Sequence, residues 1–201
     1  MKLTSKQAKQ ILDEVRKNIK DDGWIIHSIN VGYCAKKIAS SLVKRDIVVD
    51  VDKAVALGYI HDIGKYNGEY HNHVMNGYRF LKDKGYDEEY CNVCLTHSYL
   101  NNDINCTAGA LKNKINPVLE NFIKNHEYTI EEKIINLCDL MCPPINKIYT
   151  VDKRLIEMII RKGINANTQY HIKEAYKLKE YFDNLIGFNI YDLFPEIKKN
   201  L

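Results

Sequence analysis

Apolar residues in this chain recur at steps of three and four, and alternating runs are almost absent. His27, Val31, Cys34, Ala35, Ile38 and Leu42 share one helical face, and Ala54, Leu57 and His61 share another. That period suits helices and not strands, so an all-α fold is expected. Capping chemistry divides the chain. Thr4-x-x-Gln7 opens a first helix expected to run to about Lys20, where Asp21-Asp22-Gly23 interrupts it. Asp50 is suited to cap the helix that ends near His61, and Gly64 is the residue type expected just past its C-terminus. Helices follow from His73 to Lys84, with Asn72 as N-cap and Gly85 as stop, and from Asp87 to Tyr99. Asn116-Pro117 begins a short one, and Thr129-x-x-Glu132 opens a helix that Pro143-Pro144 ends. Asp152 to Lys162 and Thr168 to Ile186 are stopped by Gly163 and Gly187.

With 201 residues, 45% hydrophobic and 27% charged, the chain is large and apolar enough for one buried core. No run approaches the ~18 to 20 apolar residues of a membrane span, and the N-terminus lacks a signal-peptide segment, so a cytoplasmic protein without a membrane partner is expected. The 29 basic and 26 acidic residues are mixed along the chain without a basic arm, and nucleic acid is not indicated as a partner. Six cysteines include Cys91-Asn-Val-Cys94 and Cys138-Asp-Leu-Met-Cys142. Two such pairs could form a thiolate zinc site, but both lie in apolar helical stretches, where free buried thiols are expected.

His27, His61, Asp62, His73, His97 and Asp139 each fall on or beside the inward face of a helix. One such histidine is ordinarily a packed core residue. Burying four imidazoles and two carboxylates together without a cation is costly, whereas divalent transition metals bind both ligand types and helix bundles build such sites from facing helices.

These residues also carry a resemblance. His27 in His-Ser-Ile-Asn-Val, His61-Asp62 in His-Asp-Ile-Gly-Lys, and Asp139 in Leu-Cys-Asp-Leu resemble the HD superfamily of metal-dependent phosphohydrolases, in its His-Asp-Ile-Gly type. The likeness covers roughly residues 20 to 145. It implies an HD-domain helical bundle over residues 1–148 and a C-terminal helical extension, 149–201, packed on the same domain. By this similarity His27, His61, Asp62 and Asp139 would hold one metal and His73 and His97 a second, with Asp62 bridging. His71-Asn-His73 offers two histidines for one role. His73 is favoured because it begins a face continued by Gly77 and Leu81, in a His-x-x-x-Gly-Tyr-x-x-Leu string similar to the family's, leaving His71 as a substrate contact or support.

The resemblance implies two divalent ions, iron, manganese, nickel, cobalt or zinc, whose bound hydroxide attacks phosphorus. Asp62 and Lys65 are then the catalytic candidates, with Lys65 also contacting the substrate phosphoryl oxygens. Arg79 is expected at the surface, and His126 and His171 in surface or packing positions. No Gly-Tyr-Pro signature is present and His97 precedes Ser98, unlike the cyclic dinucleotide phosphodiesterases of the superfamily. No acidic pair follows the His-Asp motif as in the alarmone hydrolases. What remains resembles the small bacterial two-metal branch, including diadenosine polyphosphate hydrolases. The expected activity is cleavage of a phosphate ester or anhydride of a nucleotide-like small molecule. The alternative is a catalytically silent, metal-containing sensor of a phosphorylated metabolite.

Overall fold

The computed structural model describes residues 1–108 and 116–199. Among these residues the regular structure is entirely helical: α1 (Ser5–Arg16), α2 (Gly23–Val43), α3 (Val51–Ile60), α4 (His73–Asp83), α5 (Glu88–Thr96), α6 (Pro117–Asn125), α7 (Ile130–Asp139), α8 (Val151–Lys162) and α9 (Thr168–Ile186). Short 3-10 turns at Ile63–Lys65, Ile190–Leu193 and Pro195–Lys199 complete it. No helix among the described residues is long and apolar enough to cross a membrane.

The capping signals act as their chemistry requires. Thr4 and Thr129 each form both halves of a capping box, Asp50 accepts from the Lys53 amide at 2.9 Å, and Asn116 accepts from Val118 and Leu119. Gly163 and Gly187 close α8 and α9 at φ 79° and 83°. Asn72 and Asp87 precede their helices without a side-chain cap. Asp87 instead accepts from the Met1 ammonium at 2.8 Å.

Two boundaries differ from the sequence expectation. α1 ends at Arg16, not near Lys20, because the guanidinium turns back to the Asp22 carboxylate before α2. Gly64 is not a left-handed stop. α3 ends at Ile60, His61 and Asp62 follow, and Gly64 lies inside the 3-10 turn because the chain there touches α4. A Cβ on Gly64 would stand 1.9 Å from the His73 carbonyl oxygen and 2.4 Å from the Gly77 nitrogen.

α2 is the central helix. It is buried along its length from Trp24 to Leu42 and packs on α3, α7 and α9. A second close approach fixes it to α3, since a Cβ on Gly58 would meet Gly32 Cα at 2.6 Å. α4 lies against α5 and the 3-10 turn, and α9 reaches the core through Ala175, Phe182 and Ile186. Burial of Phe182 alone contributes about 1.5–3 kcal/mol. All six cysteines are buried free thiols, and Cys34 Sγ lies 3.7 Å from Cys142 Sγ.

The Gly64 contact is testable against another glycine. Gly64→Ala should lower the unfolding midpoint by several degrees, an overpacking cost of about 2–3 kcal/mol or more, because backbone atoms must move. Gly68 has φ 81° but nothing within 4 Å of its Cβ position, so Gly68→Ala should cost only about 1–2 kcal/mol. Equal thermal shifts for the two variants would contradict the close approach.

Candidate metal centre

The six candidate ligands come from five helices, mostly at their ends, where a side chain can project into the space that the helices enclose. His27 lies in the second turn of α2, His61 caps α3, His73 begins α4, His97 caps α5 and Asp139 ends α7. Asp62 follows His61 at φ −102° and ψ 9°, the bridge region in which many active-site residues are found.

The ligand atoms form two trios, His27, His61 and Asp139, and Asp62, His73 and His97, each with its atoms within 4.8 Å of one another. Asp62 faces both. Its Oδ2 lies 3.7 and 3.6 Å from Nε2 of His27 and His61, and its Oδ1 lies 3.5 and 3.4 Å from Nε2 of His73 and His97.

The orientation of the rings bears on what they can bind. Each of the four Nδ1 atoms lies against a backbone carbonyl: Cys142, Gly58 and Tyr70 at 2.8 Å for His27, His61 and His73, and Val93 at 3.1 Å for His97. A carbonyl only accepts, so Nδ1 carries the proton and donates. Each neutral ring then presents an Nε2 lone pair to the centre. Nε2 of His27 lies 3.0 Å from Nε2 of His61 and 3.0 Å from Asp139 Oδ1, while the His73 and His97 Nε2 atoms are 3.3 Å apart. Lone pairs converging on one another and on carboxylates need a positive charge between them. Asp62 Oδ1 is buried with no hydrogen-bond partner. The donor set therefore fits divalent cations, and the backbone carbonyls fix the ligand tautomers.

The electrostatics agree. Burial holds His61 down at about 3 and His73 at about 4, which keeps both rings neutral and available as ligands near neutral pH. Burial alone would raise the Asp62 carboxyl, but Lys65, His61, His97 and His73 outweigh it and hold it well below the usual carboxylate range. Asp139 is likewise held low, against its burial, chiefly by His27 beside it. The Lys65 ammonium is paired with Asp62 Oδ2.

The centre opens into a cavity of about 410 Å³. Asp62, His73, His97 and Asp139 form one wall, with Lys65, Trp24 and Tyr70 beside them. His71 is exposed and lies outside this lining, as does Arg79. Tyr66 packs on Phe80, Tyr59 on Gly32, and the Tyr99 carbonyl accepts from the Tyr128 hydroxyl. His126 pairs with Glu132 at 2.9 Å, away from the centre.

Sequence reasoning missed the basic part of the lining. Arg154, Met158, Arg161 and Lys162 of α8 line the cavity. Their spacing of four, seven and eight residues places them on one helical face, a signal present in the sequence but overlooked in a segment with no ligand candidate other than His171. His171 itself is buried and borders a side recess shared with Asp139 and Lys162.

A family model described as HD domain matches residues 24–142, and the chain belongs to that family, with the fold of the metal-dependent phosphohydrolase superfamily. No curated protein and no solved structure matches the chain.

His171 provides a pH test. Burial lowers its pKa from 6.5 to about 4, so the unfolded chain takes up this proton first as the pH falls. Folded stability should decline between pH 6.5 and 4 by up to roughly 3 kcal/mol from this residue, with no loss above that window. His171→Gln should flatten the acid limb of a stability–pH curve measured by urea unfolding. An unchanged slope would show that His171 is not held neutral.

Proposed function

We propose that the protein is a metal-dependent phosphohydrolase that cleaves a phosphate ester or anhydride of a nucleotide-like small molecule. One observation carries the reading: a buried carboxylate, Asp62, directs Oδ2 to His27 and His61 and Oδ1 to His73 and His97. In this reading His27, His61, Asp139 and Asp62 hold one divalent cation, and Asp62, His73 and His97 hold a second. Bound there, the cations acidify a water and withdraw charge from a phosphoryl oxygen.

The chain's own groups do the rest. The carbonyls of Cys142, Gly58, Tyr70 and Val93 keep the four rings turned inward, which lowers the reorganisation needed for binding. Lys65, on the cavity wall one turn after Asp62, has an ammonium within reach of charge developing on phosphoryl oxygens. Tyr70, partly exposed at the cavity wall, offers a flat face for a nucleobase. The hydrolase domain is taken as residues 1–148, and 149–201 as a helical extension whose first helix completes the cavity. The site is assigned to the small two-metal branch with the His-Asp-Ile-Gly motif.

The test is elemental analysis of the purified chain, followed by phosphate release from a nucleotide panel with added manganese, iron or nickel. About two metal ions per chain and release from at least one nucleotide are expected. Asp62→Ala should lose both the metal and the release, whereas His73→Ala should retain about one ion. Metal without turnover on any substrate would replace the enzyme with a sensor of a phosphorylated metabolite. Full release by the Asp62 variant would refute the mechanism outright.

A further inference from the structure

The α8 wall of the cavity is more basic than the hydrolysis of a single phosphate group requires. Among the side chains that line the cavity, Lys65, Arg154, Arg161 and Lys162 are cationic, against the carboxylates of Asp21, Asp62 and Asp139. Two divalent cations in the trios would make the cavity strongly positive. A reacting phosphoryl group beside Asp62 would be neutralised by those cations and by Lys65. Arg154, Arg161 and Lys162, which line the same cavity, have only Glu157 as an ion-pair partner, so one carboxylate faces three cations.

Their arrangement is that of a built site. Arg154 is buried, with 6% of its surface exposed. The Glu157 carboxylate accepts from its Nη1 and, at 3.0 Å, from Arg161 Nε, so one anion orients both guanidinium groups. Arg154 Nε is buried and has no hydrogen-bond partner. An unpaired buried donor of this kind is destabilising unless a ligand supplies the acceptor. Lys162 makes no ion pair among the described residues. Glu157 leaves a net positive face, and guanidinium groups bind phosphate oxygens in planar, two-point geometry.

We propose that Arg154, Arg161 and Lys162 bind the phosphate groups that are not attacked, so that the substrate carries two or more linked phosphates and is not a simple phosphomonoester. Which phosphate reacts rests on the hydrolase reading above, whereas binding of the phosphate chain does not. Glu157 acts as a positioning residue for the two arginines.

The experiment is calorimetric titration of the manganese-loaded full chain with AMP and with α,β-methylene-ADP, which has a second phosphorus and cannot be cleaved between the two. The wild type should bind the two-phosphorus compound about ten-fold tighter or more, the size of one charge-assisted hydrogen bond. In Arg161→Ala/Lys162→Ala, two exposed positions whose loss leaves the core intact, that advantage should fall to about two-fold or less, with AMP affinity little changed. Arg154→Lys, which keeps the charge and loses the fork, should reduce the advantage as well. Equal affinity for both compounds in the wild type, or an advantage that survives in the double variant, overturns the proposal, since the gain would then belong to the metal ions. Phosphate release from ADP by the same wild-type sample separates the two readings. The expected binding pattern without turnover on any nucleotide sinks the hydrolase and keeps the phosphate-chain site, while turnover with equal binding does the reverse.

Discussion

The centre depends on a carboxylate placed where a carboxylate is expensive. Asp62 is almost completely buried, and an ionised group in such a position is stable only if opposite charge or donors meet it. Here Lys65 meets Oδ2, while Oδ1 faces the His73 and His97 rings and has no donor of its own. The backbone carbonyls that accept from the four Nδ1–H groups leave those imidazoles, when neutral, unable to donate to the carboxylate. The protein has thus spent its hydrogen-bonding capacity on orientation and left the middle of the site electron-rich. That is a liability in a structural core and an asset at a cation site.

Holding such a site open requires rigid surroundings, and much of the rigidity is backbone against backbone. Gly32 and Gly58 bring α2 and α3 into direct contact, and Gly64 seats the 3-10 turn against the start of α4. These contacts set the positions of His27, His61, Asp62 and His73 relative to one another through main-chain atoms, which move far less readily than side chains. The buried thiols of Cys34, Cys138 and Cys142 fill the space behind the first trio as small apolar groups, with burial holding each thiol protonated.

Much of this was legible in the sequence, for physical reasons that differ from residue to residue. Helical period and capping boxes fixed the element order because both depend on residues three and four apart. The cluster of His27, His61, Asp62, His73, His97 and Asp139 was legible because each is an ionisable residue on an apolar face, an arrangement with few inexpensive explanations. Gly64 was misjudged because a stop and a close approach call for the same residue type, and only the neighbour, α4, distinguishes them. The α8 wall was overlooked because Arg154, Arg161 and Lys162 look like an ordinary solvated helical face until the cavity beneath them is known. His71 and His73 show the limit of local reasoning: two residues apart, one opens a helix into the centre and the other is exposed.

The four ring anchors are not alike in sequence distance. His61, His73 and His97 each donate to a carbonyl three or four residues earlier, so their orientation is set by the local backbone. His27 donates to Cys142, 115 residues away. The trio of Asp62, His73 and His97 lies within a single contiguous stretch of chain, whereas the trio of His27, His61 and Asp139 needs the two ends of the domain brought together. Closing the longer loop carries the larger entropic cost and builds contacts of higher order. The two halves of the centre are therefore unequal as folding events: one is a local supersecondary unit, and the other exists only once α7 has docked on α2.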